Sequence, residues 1–424
     1  MLDIQLFREN PDLIRQSLIK RHQDDSVVDE VITMDENRRA LLQQVEGLRA
    51  EKNQASKAIG KTKDPEERQE KIAAMQALGN KQDGLEAELK ELEPNLTALL
   101  GTFPNLVDKR VPDGLDDSEN VIIKTIGEKP EFDFEPKAHW DLGPELGILD
   151  FERGTKLSGT RFYVLNGLGA RLQRALISFM LDTHTKNGYE ERYTPFMVKE
   201  EIVYASGQLP KFEGNLYHDH EDDFWWVPTA EVSLTGLHKD EILNESDLPI
   251  SYTAYTPCFR REKFSAGRDV RGIKRGHQFD KVEMYVYCRP EDSEQQFERM
   301  LSDAEGICQA LGFTYRVNTL CTGDLGFAAA YTSDIDVWAA GCGEWLEVSS
   351  TSNTRDFQAR RAAVRYRPEE GKSTRYVHTL NGSGLALPRV MIAILENNQQ
   401  KDGSVIIPEV LRPWMGGAEI IEPK

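Results

Sequence analysis

No stretch of this 424-residue chain approaches the roughly 18 consecutive apolar residues that a membrane-spanning helix needs. No such span, and no membrane partner, is therefore expected. The first residues, MLDIQLFRENPDLIRQ, carry Asp3 and Glu9 and no apolar segment, which argues against a secretory signal. Cysteine is scarce: Cys258, Cys288, Cys308, Cys321 and Cys342 are odd in number and never spaced C-x-x-C. That pattern indicates neither a disulfide framework nor a structural zinc site, and it fits reduced thiols in a cytoplasmic protein. Neither G-x-G-x-x-G nor G-x-x-x-x-G-K-[ST] occurs, which disfavours Rossmann and P-loop nucleotide sites. Positive charge is also short, with 52 Lys and Arg against 71 Asp and Glu for a formal net charge of -19. Broad non-specific nucleic-acid binding does not fit this balance, whereas a local basic surface does.

The length exceeds what one ordinary core fills, so two domains are expected. In the N-terminal quarter Val31, Met34, Arg38, Leu41, Val45, Leu48, Lys52, Ala55 and Ile59 step by three and four. A second series runs Ile72, Met75, Leu78, Gln82, Leu85, Leu89, Leu92, Leu96, Leu99. Such steps mark the seams of two long helices. GKTKDPEER between them holds Gly60 and Pro65, so the chain turns back into an antiparallel hairpin arm of roughly 30 residues per limb, roughly 45 Å long. By itself such an arm reads as a spacer or a dimerisation coiled coil. Residues 102–142, rich in Pro, Gly and Asp, read as a connection. From 143 to 424 short β-rich stretches (DFWWVPTAEV, SYTAYTPCFRRE, FDKVEMYVYC, EWLEVSS) alternate with helical ones. The fold class expected is α+β, an antiparallel sheet flanked by helices.

Against the overall acidity, FRREKFSAGRDVRGIKRGHQFDKVEMY gathers eight Lys and Arg and four Asp and Glu. In an extended strand, residues two apart share a face. Arg260 and Glu262 are expected together at one strand end, and Phe279, Lys281 and Glu283 on one face of the next strand. Phe279 and Glu283 then stand roughly 13 Å apart, a span that suits a stacked nucleotide at one end and a small amine at the other. The planar fork of arginine grips phosphate or carboxylate through paired hydrogen bonds. Taken singly, Arg-x-Glu is an ordinary surface ion pair and Phe279 an ordinary core residue; their combination with the basic loop is what points to a site.

Phe259 to Met284 resembles motif 2 of the class II aminoacyl-tRNA synthetases, and SAGRDVRG followed by HQFDKVEM is similar to the bacterial seryl-tRNA synthetase family in particular. YTPFM with Pro195 resembles motif 1, and PTAEV carries a T-x-E at Thr229 and Glu231. LEVSSTSNTRDFQARR looks like the ribose and magnesium segment, and TLNGSGLALPR, ending in Arg389, looks like motif 3. The likeness covers nearly the whole chain, because that family also begins with an antiparallel helical arm.

The resemblance implies an AMP-forming serine:tRNA ligase. Serine and ATP give seryl-adenylate, and the seryl group then passes to the 3′ end of tRNA(Ser), with tRNA(Sec) open as a second substrate. It implies a cytoplasmic homodimer with motif 1 at its interface, magnesium as cofactor and no zinc. Residues 1–101 would be the tRNA-binding domain and 143–424 the catalytic domain. Arg260 and Arg389 would be catalytic. ATP would meet Arg260, Glu262, Arg275, Phe279, Glu347, Ser350 and Arg389, with magnesium on Glu347 and Ser350. Serine would meet Thr229, Glu231, Arg260, Glu283, Asn381 and Ser383. The arm tip, with Lys57, Lys61, Lys63, Arg68 and Lys71, would touch tRNA. Arg261, Lys263 and Phe264 depart from the family's wording. Glu347 and Ser350 have opposite strand parity, so both reach one metal only if the strand ends or bulges there; Ser349 is the alternative hydroxyl. His218 and His220 lack a third ligand and read as an exposed loop, and His277 reads as a packing or hydrogen-bonding residue. Two rivals are an enzyme that loads a carrier protein, which would lack the arm, and a dead coiled-coil adaptor, which would lack Arg260, Arg389 or the T-x-E pair.

Overall fold

The computed structural model describes residues 1–263, 271–371 and 373–424, so Phe264 and the SAGRDV stretch lie outside the described residues. Two compact units emerge. One comprises Leu2–Ile19 and Gln23–Phe103, the other Met1, Lys20–His22 and Pro104–Lys424.

The first unit is helical: α1 (Ile4–Glu9), α2 (Pro11–Lys20), α3 (Val27–Lys61) and α4 (Pro65–Gly101). Every position of the two periodic series is shielded at least in part, and the charged residues beside them are mostly exposed. The seam is thus the face that α3 and α4 bury against each other. Arg38 reaches Glu93 at 3.0 Å and Arg49 reaches Glu86 at 2.8 Å across it. The turn falls at residues 62–64. Asp64 caps α4 by accepting the Glu67 N–H at 3.0 Å, and Pro65 occupies the first turn, where a missing N–H costs nothing. Gly60 stays inside α3, and α4 runs through Pro94 to Gly101.

The second unit is built on an eight-stranded sheet. In chain order its strands are β1 (Val121–Ile126), β2 (Glu190–Glu191), β3 (Ile250–Phe259), β4 (Gln278–Cys288), β5 (Tyr315–Thr319), β6 (Tyr331–Ala339), β7 (Glu344–Arg355) and β8 (His378–Ala386). They lie in the order β1-β5-β6-β7-β8-β4-β3-β2, antiparallel except for the β2–β3 pair. Helices α5 (Leu168–Lys186), α7 (Ser293–Ala310) and α9 (Leu387–Asn397) share one core with the sheet, meeting Val282, Met284, Val286, Ile335 and Leu380. Even positions of β4 face those helices, leaving the odd ones to the other face. Two further short helices, α6 (Ala230–Gly236) and α8 (Phe357–Ala362), contribute Ala230, Leu234, Ala359 and Ala362 to a second core with Tyr285 and Tyr287 of β4.

Two expectations change here. Residues 102–142 are not merely a connection, because Val121–Ile126 pair with Tyr315–Thr319 as the sheet's edge strand. DFWWVPTAEV is a strand only at Phe224–Trp226; its T-x-E half opens α6.

Candidate active site

The odd face of β4 floors a cleft of about 1040 Å³ that is lined by Thr229, Glu231, Arg260, Glu262, Arg275, Phe279, Lys281, Glu347, Ser350, Asn381, Ser383 and Arg389. Except for Glu283, which is fully buried behind Lys281, every candidate serine, ATP and magnesium residue lines it.

At one end lies an acidic corner. Thr229 is the N-cap of α6: its Oγ1 accepts the Glu231 N–H at 3.2 Å and donates to Glu283 Oε2 at 3.3 Å. Lys281 Nζ meets the same oxygen at 2.5 Å. Glu283 Oε1 is buried without a hydrogen-bond partner among the described residues. A buried acceptor left in this state normally costs free energy unless a ligand supplies the donor. Burial, then the charge of Glu283, pushes the Glu231 carboxyl up to about 7. Gln358 of α8 steadies it through Nε2, 2.6 Å from Oε1.

Arg260 and Glu262 do not share a strand face as their spacing predicts. β3 ends at Phe259, Arg260 follows it, and Glu262 takes φ +51°. Both still line the cleft. The Arg260 amide donates to His277 O at 2.9 Å and its Nε to Pro228 O at 3.1 Å, while its guanidinium lies 5.0 Å from the Phe279 ring centre. His277 Nδ1 in turn donates to Arg260 O at 3.0 Å, the hydrogen-bonding role expected of it. Arg261 turns away: its Nε donates to Leu216 O at 2.8 Å and its guanidinium covers Tyr217 at 4.5 Å. Glu262 and Arg275 stand 3.7 Å apart.

The parity condition on Glu347 and Ser350 is met by a bulge. Ser349 pairs with Ile335 and Glu347 with Asp336, so Val348 is the extra residue. Glu347 and Ser350 therefore both face the cleft, whereas Ser349 is buried and donates to Ser383 O at 2.6 Å. Ser349 thus points away from the cleft that Ser350 lines. Beside Ser350 on β6 lies Asp334, whose Oδ1 is buried without a hydrogen-bond partner among the described residues. Burial and the Glu347 charge hold Asp334 well above the usual carboxylate range, and burial likewise raises Asp324 and Asp336. Such crowding of oxygen donors fits a hard divalent cation. Arg389 donates to Glu347 O at 2.7 Å and stands 3.4 Å from its carboxylate.

His218 Nε2 donates to Asp223 Oδ1 at 2.8 Å and the ring stacks on Trp225 at 4.1 Å, so His218 is half-buried rather than exposed, while His220 is exposed as expected. Sequence reasoning did not assign Lys281, Gln358 or Asp334. The signal for Lys281 was its place between Phe279 and Glu283; the other two had none beyond lying near motif residues.

A largely antiparallel sheet with an arginine against an aromatic ring at one strand pair, and a second arginine at the head of the helix behind it, is the arrangement expected of a class II aminoacyl-tRNA synthetase core. Residues 211–398 match the model of the tRNA synthetase class II core domain (G, H, P, S and T), and residues 1–107 match the seryl-tRNA synthetase N-terminal domain. The chain is 61% identical over 421 residues to a serine–tRNA ligase of a Roseiflexus species, covering 99% of both, and 57% identical over 423 residues to that of Chloroflexus aurantiacus, covering 100% of both. It resembles the crystal structure of seryl-tRNA synthetase from Pyrococcus horikoshii complexed with ATP, with a TM-score of 0.94, 39% identity and full coverage of both chains. The chain belongs to the seryl-tRNA synthetase family.

Proposed function

We infer that the chain is a serine–tRNA ligase that makes seryl-adenylate and pyrophosphate from serine and ATP and passes the seryl group to the terminal adenosine of tRNA(Ser). The observation that carries the substrate assignment is the acidic corner, where Glu283 Oε1 lacks a donor and Glu231 stands beside it. A ligand bearing both an ammonium and a hydroxyl supplies donors to such a corner.

In this reading Arg260 holds the serine carboxylate and the α-phosphate, where negative charge gathers as the carboxylate attacks phosphorus. A cation fixed in advance by Pro228 O and Phe279 stabilises that state without reorganising. No general base is needed, because the attacking carboxylate is already ionised. Phe279 stacks the adenine and Glu262 accepts from its amino group. Arg275 and Arg389 hold the outer phosphates, each exchanging a loose carboxylate contact of 3.7 or 3.4 Å for a phosphate oxygen. Asn381 and Ser383 close the serine pocket from β8. Magnesium, held by Glu347 and Ser350, would neutralise phosphate charge when bound.

Residues 1–101 would bind tRNA. Lys57, Lys61, Lys63 and Arg68 are exposed around the turn, while Lys71 is held by Glu67 at 2.7 Å and Thr62 at 2.9 Å, which weakens its candidacy. Phosphate contacts of this kind read shape more than sequence, and tRNA(Sec) is a second substrate to be tested. A homodimer is supported by exposed apolar residues at the sheet edge and in the motif 1 segment: all of β1 is exposed, and Tyr193 and Met197 are 83% and 47% accessible. No described helix is long and apolar enough to cross a membrane, and all five cysteines are unpaired, which suits the cytoplasmic location proposed. The test is charging of tRNA(Ser) with labelled serine by the intact protein and by one in which Glu30 is joined to Gly101 through a Gly/Ser linker. The intact protein should charge. The shortened one should keep serine-dependent pyrophosphate exchange but charge poorly; unchanged charging would make the arm a spacer.

A further inference from the structure

Behind the cleft His139, Cys342 and Glu396 converge without touching the proposed substrate positions. His139 and Glu396 are fully buried. Glu396 Oε1 receives His139 Nδ1 at 2.7 Å and the His139 amide at 2.9 Å, and Oε2 receives the Cys342 amide at 2.8 Å. The Cys342 thiol adds a contact of 3.0 Å to Oε1. The three side chains lie close enough to resemble a metal site. The imidazole argues otherwise: its Nε2 accepts the Ile273 N–H at 3.1 Å, so the ring proton resides on Nδ1 and is donated to Glu396. A cation on Nδ1 would have to displace that proton and break the pair.

Ile273 opens the segment whose next two side chains, Lys274 and Arg275, line the cleft. Gly272 before it has φ +73°, and a Cβ there would fall 2.0 Å from His139 Nε2. The contact thus leaves no room for any other residue at 272. Glu396 lies near the end of α9, and the first turn of the same helix carries Arg389. We propose that His139 and Glu396 are positioning residues that tie the Arg275 segment to the helix bearing Arg389, setting the two arginines before ATP arrives. The proposal rests on the reading that these arginines hold the outer phosphates.

The test compares ATP and AMP binding by calorimetry, with melting temperature recorded, for His139→Asn, His139→Gln, Gly272→Ala and Arg275→Ala. Asparagine keeps a donor for Glu396 but is too short to accept from Ile273; glutamine carries an acceptor to the Nε2 position. His139→Asn should lose ATP affinity roughly 10- to 100-fold, the scale of a misplaced binding group. Its affinity for AMP, which lacks the outer phosphates, should be unchanged, and His139→Gln should recover most of the loss. If His139→Asn does not fold, Gly272→Ala perturbs the same contact from the other side and should show the same ATP-selective loss. Equal ATP affinities for the Asn and Gln variants, or parallel loss of ATP and AMP, would reduce the pair to a structural role. Arg275→Ala separates the two levels. If it binds ATP normally, the phosphate reading fails and the proposal with it; if it alone is selectively weakened, only the positioning proposal fails.

Discussion

Raising the pH from about 6 to about 8 should increase kcat/KM for serine about tenfold. The free enzyme holds the Glu231 carboxyl at about 7, first through burial and then through the charge of Glu283; Lys281, Gln358 and Arg260 pull the other way. With that value roughly one-tenth of the carboxyl is ionised at the lower pH and roughly nine-tenths at the upper. Serine arrives with its ammonium charged, and an ionised Glu231 attracts it, whereas a protonated one competes as a donor. The sign follows: binding is favoured by losing the proton, so the profile rises with pH. The assay is serine-dependent pyrophosphate exchange at saturating magnesium-ATP, because kcat/KM for serine reports groups of the enzyme before serine binds. Glu231→Gln should be poor and should lose this step in the profile. A flat or falling wild-type profile, or a Gln variant that keeps the rise, would refute the reasoning.

Arg260→Ala should leave the melting temperature nearly unchanged and lower the exchange rate by about 10² to 10³, as loss of one fixed transition-state contact does; near-normal exchange would remove the assigned role. Serine should exceed alanine by about 10⁴ or more in kcat/KM, because alanine leaves Glu283 Oε1 unpaired, and comparable values would contradict the pocket. Ser350→Ala should remove the hydroxyl that the Val348 bulge brings to the face of Glu347, raising the magnesium concentration needed for exchange; an unchanged magnesium titration would refute that geometry. Exchange should fall on chelation by EDTA and return with magnesium, but survive a zinc-selective chelator with magnesium in excess.

The helical arm was legible because its seam repeats over many turns, and β4 because FDKVEMYVYC is rich in valine and aromatic residues. Motif likeness then brought nearly every candidate to one cleft. What stayed hidden depended on local geometry or distant partners. The T-x-E looked like strand because α6 spans only seven residues and begins with its own Thr cap. The Glu347 and Ser350 parity announced that something irregular was required, but only the pairing with β6 locates the extra residue at Val348. The edge strand VIIKTI sits among prolines and glycines and, being exposed throughout, has no alternation to reveal it. His139 and Glu396 are 257 residues apart, and no local pattern links them.

The most direct measurement is exchange of labelled pyrophosphate into ATP by the purified chain with each proteinogenic amino acid in turn. The account predicts that serine alone supports rapid exchange, that threonine, with a methyl to accommodate, and alanine, lacking the hydroxyl, fall far below it, and that Glu283→Gln loses the preference together with the activity. Rapid exchange driven by another amino acid, or none with serine while magnesium-ATP binds, would contradict it.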